Sequence, residues 1–170
     1  KQNIAADVDI VPKGGDGDWA YTDEVKKHFF QPQNIVLDIK DVKDYDGLGM
    51  VGSPACGDMM KVWIKVDKKA DKILDMKWQT FGCGSAIAAT SMLSVMVSEN
   101  NGMSIDKALK IKAQDITERL HGLPIRKIHC SVLGDKALRS AINSYFVKTK
   151  QTNRVIKEHA RIIDKIAKVT

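Results

Sequence analysis

The chain has 170 residues, 44% hydrophobic but only 6% aromatic, with a formal net charge of +6 at pH 7. This length predicts one main domain with a single core, and the odd count of 3 cysteines argues against a disulfide-stabilised secreted protein. No apolar run approaches the length of a membrane span and no cleavable apolar segment is visible near the amino terminus, so we expect no membrane insertion and a cytoplasmic location.

The amino-terminal part of the chain divides into a leader and a short helix. Residues 1–20 end in the turn-rich sequence PKGGDGD and predict a flexible leader. Thr22 can cap a helix over TDEVKKHFF, whose first turn is acidic and which should end near Pro32. His28 is expected on the surface of that helix.

Two strands are predicted after an irregular stretch that reaches Gly49. The segments MMKVWIKVD and KILDMKWQTF alternate apolar with polar residues and are separated by the charged sequence DKKADK. This pattern predicts an antiparallel hairpin with one half-buried face. After Cys83 the period changes, and GSAIAATSMLSVMV predicts a tightly packed, mostly buried helix.

The remainder of the chain is predicted to be helical. Ser104 and Asp115 mark the starts of two short helices, the second of which should end at His121-Gly122. A long helix should follow Cys130. Strands followed by helices favour an α+β fold, in a domain that spans residues 21–147.

Much of the excess positive charge lies in a predicted basic helical tail, residues 148–170. This tail either extends the long helix or forms a separate amphipathic one. Neither base-stacking aromatic residues nor a nucleic-acid-binding motif accompanies the charge, so nucleic acid is not an expected partner.

The three cysteines occur in the segments SPACGDMM, QTFGCGSAI and RKIHCSVL, each at the predicted end of a strand or helix. Cys56 precedes Asp58 by two residues, Cys83 lies between two glycines, and Cys130 directly follows His129. Three sulfur ligands with a carboxylate or an imidazole would complete a four-coordinate metal site. Helix amino termini favour the thiolate form of such cysteines.

Each of these residues also has a purely structural interpretation. A single cysteine is often a small buried apolar residue, and Asp58 could be a turn residue at the entry to a strand. The occurrence of all three cysteines in turn motifs favours the metal site. Lys127 and His129 add positive charge that would favour the thiolate of Cys130.

The segments VGSPACGD, TFGCGSAIA and LPIRKIHCS, in this order, resemble the IscU family of iron–sulfur cluster assembly scaffold proteins, equivalent to the amino-terminal domain of NifU. The segment YTDEVKKHFFQPQN is similar to the start of that family, and the likeness extends from about Tyr21 to Phe146. It implies a small antiparallel sheet of about three strands, helices packed on one face and a long carboxy-terminal helix.

The resemblance also implies a function: assembly of a [2Fe–2S] cluster from iron and desulfurase-derived sulfur, and its transfer to apo-proteins. It assigns cluster ligation to three residues: Cys56, Cys83 and Cys130. Asp58 and His129 match candidates for the fourth ligand, and Lys127 matches a lysine that alternates with the cysteines in contacts. Cys130 corresponds to the usual acceptor of persulfide sulfur, although Cys56 or Cys83 could serve instead.

The implied partners are a cysteine desulfurase of the IscS/NifS type, a ferredoxin or other electron donor, and apo iron–sulfur proteins. The protein itself would be a scaffold and not an enzyme. Where the family has the Hsp70-recognition motif Leu-Pro-Pro-Val-Lys, this chain has Leu123-Pro124-Ile125-Arg126-Lys127. An Hsp70-type chaperone therefore stays open as a partner. A homodimer that shares one cluster also stays open, because each chain has three cysteines.

Two alternatives come from other functional classes. A zinc-dependent sulfur-relay protein of the SufU type would hold Zn²⁺ with Asp58 and the three cysteines. That branch carries a long insertion before its third cysteine, and the segment between Cys83 and Cys130 is too short for it. The other alternative is an interaction domain whose cysteines are only structural.

Overall fold

A four-stranded antiparallel sheet with the strand order β1–β2–β3–β4 organises the part of the chain that the structure describes. This structure is a computed structural model; it describes residues 21–53, 58–123 and 128–156, with the backbone alone at residues 53 and 128–132. The strands are Gly47–Ser53 (β1), Asp58–Asp67 (β2), Lys72–Phe81 (β3) and Met103–Ser104 (β4).

Five α-helices accompany the sheet in the described residues. They are Asp23–Phe30 (α1), Gly84–Ser98 (α2), Ile105–Ala108 (α3), Ala113–Arg119 (α4) and Ile128–Lys148 (α5), with 3₁₀ turns at Ile39–Val42 and Thr152–Arg154. The predicted α+β class is confirmed, as are the β2–β3 hairpin and the long carboxy-terminal helix. The sheet has four strands instead of about three. The strands β1 and β4 are not evident in the sequence, because β4 is very short and neither shows a clear apolar alternation.

The main core lies between the sheet and the helices α2 and α5. Its largest fully buried side chains include Trp78 from β3, Met60 from β2 and Phe146 from α5. Burial of such side chains contributes about 1.5–3 kcal/mol each to folding. The opposite face of the sheet carries a smaller cluster in which Trp63 packs with Val36 and Val42. The prediction that the helices pack on one face is therefore confirmed.

The helix α1 begins as the sequence indicated. The Thr22 side chain accepts a hydrogen bond from the backbone N–H of Val25 at 3.2 Å, which caps the helix. The expectation that His28 lies on the surface is wrong, since it is only 4% exposed and its Nδ1 atom lies 2.7 Å from the Ser91 hydroxyl of α2. His28 lies three residues after Val25, so both side chains are on the buried face of α1.

The long helix α5 begins at Ile128 and ends at Lys148. Cys130 is therefore in its first turn, not before it as expected. After the helix, Lys150 adopts a left-handed backbone conformation with a φ of 59°, and a 3₁₀ turn follows. Most of the predicted helical tail, from residue 157 onward, lies outside the described residues, as does the predicted leader of residues 1–20.

Within the described ranges, no helix combines the length and the apolar character needed to cross a bilayer.

Candidate functional site

The sheet register places the first two cysteine-bearing turns at the same end of the sheet. Ser53, the last residue of β1, pairs with Asp58, the first residue of β2. Met59 in turn pairs with Phe81, the last residue of β3. The connection that contains Cys56 therefore begins and ends beside the turn that leads from β3 into α2, although residues 54–57 themselves lie outside the described residues.

The direction of α5 brings the third cysteine to this end as well. A Cβ atom added at Gly47 would meet the carbonyl of Ala141, and one at Gly49 would meet the carbonyl of Ala137. An advance of two residues along β1 thus corresponds to a move of four residues towards the amino terminus of α5, and each is a distance of about 6 Å. The helix runs antiparallel to β1, and its amino terminus lies near Ser53.

The backbone of Cys130 can be located from the same register. It lies seven residues before Ala137, a distance of about 10 Å along the helix axis. This is level with a point about three residues beyond Gly49 in β1, close to Ser53. His129 is in the same first turn of α5. We refer to this end of the sheet, with the β1–β2 connection, the β3–α2 turn and the amino terminus of α5, as the cysteine end.

Cys83 occupies the cap position at the start of α2. Its backbone is extended, with φ −71° and ψ 165°, and its side chain makes no capping hydrogen bond within the described residues. The Cys83 Sγ atom instead lies 3.0 Å from the hydroxyl of Ser85. The side chain is half-buried, so the sulfur lies at the boundary between core and solvent.

Two glycines let the backbone around Cys83 pack closely. A Cβ atom at Gly82 would lie 3.2 Å from the carboxyl carbon of Asp58, and one at Gly84 would lie 3.1 Å from the ring of Phe29. Both distances are tighter than ordinary van der Waals contacts. The Gly-Cys-Gly sequence thus allows close approach to a carboxylate on one side and to an aromatic ring on the other, and a larger residue at either glycine would have to displace that neighbour.

Asp58 is the acidic residue closest to this turn in the register. It is only 8% exposed, and its Oδ2 atom is buried without a hydrogen-bond partner among the described residues. A buried carboxylate oxygen without a donor is energetically costly and is usually retained for a reason other than stability. An open carboxylate oxygen next to a cysteine turn fits a ligand for a hard or borderline metal ion.

The electrostatics of the cysteine end favour anions. The helices α2 and α5, of 15 and 21 residues, both begin there. Each helix amino terminus carries roughly half a positive charge from its aligned peptide dipoles. Two such termini would stabilise an anionic group bound between them.

The predicted site residues are thus only partly described. Asp58 and the Cys83 turn are brought together, and the backbones of His129 and Cys130 begin α5 at the same end, while Cys56 and Lys127 lie outside the described residues. Among the side chains that are described, no three His, Cys, Asp or Glu residues form a metal-binding group.

Sequence reasoning missed two features of this end. One is Ser85, which the structure places against the Cys83 sulfur; its only signal is its position two residues after a cysteine that starts a helix. The other is the contact of Gly82 with Asp58, which brings together residues far apart in the chain.

The fold and the site together define an α+β domain in which a cysteine-bearing turn and a buried carboxylate lie together at one end of an antiparallel sheet. A family model described as NifU-like N terminal domain matches residues 20–152, and the chain belongs to this family. The predicted family is therefore confirmed.

Individual relatives agree with this assignment. The iron–sulfur cluster assembly scaffold protein IscU 1 of Archaeoglobus fulgidus is 44% identical over 135 residues, which cover 79% of this chain and 82% of the relative. The nitrogen fixation protein NifU of Trichormus azollae is 45% identical over 129 residues, 75% of this chain but only 42% of that protein. A solved crystal structure of a hypothetical protein superposes with a TM-score of 0.53 at 26% identity, over 70% of this chain and 93% of the other.

Proposed function

We propose that this protein is a scaffold on which a [2Fe–2S] cluster is assembled from iron and desulfurase-derived sulfur, and from which the cluster passes to apo-proteins. The observation that carries the proposal is the pair formed by the Cys83 turn and the buried Asp58 carboxylate with its open oxygen. Relatives named as cluster assembly scaffold proteins support the same role.

In this proposal the cluster is cargo, and the chain supplies its ligands. Cys56, Cys83 and Cys130 would bind iron through their thiolates, with Asp58 or His129 as the fourth ligand and Lys127 in alternating contact. Thiolates are the usual ligands of iron–sulfur clusters, and carboxylate and imidazole are harder ligands than thiolate. A site with one such ligand would therefore hold a cluster while leaving one iron easier to release.

Sulfur would reach the site as a persulfide on a cysteine desulfurase. In our proposal the thiolate of Cys130 attacks the terminal sulfur of that persulfide, the S–S bond breaks, and the desulfurase cysteine leaves as a thiolate. The product is a persulfide on Cys130, and reduction of this sulfur to sulfide would require electrons from a ferredoxin or other donor. The chain accepts and holds these groups but turns over no substrate by itself.

The surface around the cysteine end is suited to a protein partner. Phe81 precedes Cys83 by two residues, and 69% of its surface is exposed. Exposed aromatic side chains often provide the anchor of a protein interface. We infer that a desulfurase or an acceptor protein would contact Phe81 when it approaches the thiols.

Anaerobic reconstitution tests the proposal directly. The protein is incubated with ferrous iron, cysteine and a cysteine desulfurase, and we expect the visible absorption of a [2Fe–2S] centre with equal amounts of bound iron and sulfide. A variant in which all three cysteines are replaced by serine is the control and should stay colourless. A parent protein that stays colourless and contains only zinc would contradict the proposal and favour zinc-dependent sulfur relay.

A further inference from the structure

The hydroxyl of Ser85 contacts the sulfur of Cys83 at a buried position, where few other hydrogen-bond partners are available to the hydroxyl. The Ser85 Oγ and Cys83 Sγ atoms are 3.0 Å apart, and Ser85 is 1% exposed. Water therefore has little access to this hydroxyl, and the contact with sulfur accounts for its hydrogen bonding.

Other hydroxyl groups on the helices of this protein bond differently. Thr90 in α2 and Thr117 in α4 each donate to the carbonyl four residues earlier, at 2.9 Å, and Thr149, just after α5, does the same. Ser85 is the second residue of α2, so the residue four positions earlier is Phe81, which belongs to β3 and not to the helix. The carbonyl that usually accepts from such a hydroxyl is therefore not part of the helix at this position, and the hydroxyl of Ser85 can bond to the sulfur instead.

The direction of this hydrogen bond follows from the state of the sulfur. In a thiol, either atom can donate to the other. A thiolate that is bound to a metal ion has no hydrogen to donate, so the hydroxyl must then be the donor. Hydrogen bonds to a coordinating sulfur draw electron density from it and fix its orientation, which changes both the affinity and the electronic properties of the metal.

We propose that Ser85 is a positioning residue that donates a hydrogen bond to the Cys83 sulfur when this sulfur binds metal. The inference rests on the proposed function only in taking Cys83 as a ligand. It assigns different environments to two neighbouring ligand groups. The Cys83 sulfur is held by a buried hydroxyl, whereas the Oδ2 atom of Asp58 has no hydrogen-bond partner among the described residues. Cys83 would thus be the ligand with a fixed geometry.

The experiment uses Co²⁺ as the probe, added anaerobically to the apo-protein, and records the sulfur-to-cobalt charge-transfer absorption. Ser85→Ala removes only the hydroxyl oxygen. We expect its band to move to longer wavelength, because the sulfur lone pairs rise in energy when the hydrogen bond is lost. We also expect Co²⁺ affinity to fall by about tenfold, as is common when a group that orients a metal ligand is removed.

Two further variants separate the hydrogen bond from general effects on the core. Ser85→Thr keeps the hydroxyl and should keep the band of the parent protein. Ser140→Ala removes another buried hydroxyl, one without a partner among the described residues, and should also leave the band unchanged.

The outcomes distinguish this inference from the proposed function. A parent protein with cobalt–thiolate absorption whose band is the same in Ser85→Ala overturns the role of Ser85 and leaves the metal site intact. A Ser85→Thr band displaced as far as that of Ser85→Ala overturns it as well. A parent protein without any cobalt–thiolate absorption overturns the proposed metal site, and the role of Ser85 with it.

Discussion

Asp58 has a buried carboxylate whose placement is unfavourable for stability and fits its proposed role as a ligand. Its carboxylate is buried at the first position of β2, and the Oδ2 atom has no donor within the described residues. A buried acceptor without a partner costs about 1–3 kcal/mol. We therefore expect Asp58→Ala to raise the free energy of unfolding of the apo-protein by about this amount, measured by urea denaturation. The same variant should hold a reconstituted cluster longer and transfer it to apo-ferredoxin more slowly.

Asp46 offers a matched control for this prediction. Its carboxylate accepts a hydrogen bond from the backbone N–H of Val66 at 2.9 Å and lies 3.2 Å from the Lys68 ammonium. Asp46→Ala should therefore lower the free energy of unfolding. If Asp58→Ala also lowered it, the carboxylate would have a stabilising partner in the folded protein. If cluster transfer from Asp58→Ala were as fast as from the parent, Asp58 would not be the labile ligand.

At the scale of secondary-structure elements, the sequence predicts those whose apolar side chains alternate or repeat with burial. It misses β1, which is packed through its backbone instead. The β2–β3 hairpin and α2 were predicted because their apolar residues follow the periods of a strand and a helix. The strand β1 contains Gly47 and Gly49 because the backbone of α5 lies directly on them, and glycine leaves no periodic signal. Such contacts depend on elements distant in the chain, which a local pattern cannot reveal.

The candidate site divides in the same way. The cysteines and Asp58 could be proposed as site residues because thiol and carboxylate groups with their spacing are visible in the sequence. The role of Gly82 and the contact of Ser85 with sulfur could not, since both follow from the packing of β2, β3 and α2 at the cysteine end.

The packing contact between α1 and α2 contains a buried histidine, His28, whose ionisation affects the free energy of unfolding. Burial lowers the pKa of His28 below its usual value of 6.5, with a smaller opposing effect from Glu24 and a small further lowering from Lys27. The Ser91 hydroxyl lies 2.7 Å from His28 Nδ1 and accepts the backbone N–H of Gln33 at 2.7 Å. Because His28 Nε2 lies 3.5 Å from the Glu24 carboxylate, a neutral imidazole would carry its proton on Nε2 and accept the Ser91 hydroxyl at Nδ1.

A pH dependence of stability follows from this lowered pKa. Below about pH 6.5 the unfolded chain binds a proton on His28 before the folded protein does, so stability is lost as pH falls from there towards the folded-state pKa. We expect His28→Gln to make the free energy of unfolding less dependent on pH between pH 7.5 and pH 5.5, measured by urea denaturation. His121→Asn is the control at an exposed, left-handed position and should keep the slope of the parent. An unchanged slope in His28→Gln would show that other groups cause the acid sensitivity.

At the scale of the whole molecule, the two ends of the sheet carry different kinds of side-chain contact: candidate site residues at one end and stabilising contacts at the other. At the cysteine end lie the Cys83 turn, the exposed ring of Phe81 and the Asp58 carboxylate, whose Oδ2 atom has no hydrogen-bond partner within the described residues. The opposite end contains the β2–β3 turn, where Asp71 accepts two hydrogen bonds from Arg154 at 2.9 and 2.8 Å. The guanidinium of Arg154 also lies 4.5 Å from the centre of the Phe146 ring. This contact set fixes the segment after α5 against the sheet, and it lowers the pKa of Asp71 through the hydrogen bonds from Arg154.

Because these contacts lie at opposite ends of the sheet, we expect that a substitution at the Arg154 end can lower the free energy of unfolding without changing metal binding at the cysteine end. Arg154→Ala should lower the free energy of unfolding by about 1–2 kcal/mol, from the lost ion pair and cation–π contact. Arg119→Ala is the matched control: the Arg119 side chain, which bonds Glu99 at 3.0 and 2.6 Å, is more exposed than that of Arg154, so its loss should cost less, about 0.2–1 kcal/mol. In both variants the cobalt–thiolate spectrum should match that of the parent. A displaced spectrum in Arg154→Ala would mean that the Arg154 contacts are coupled through the sheet to the cysteine end, and that the two ends act as one unit.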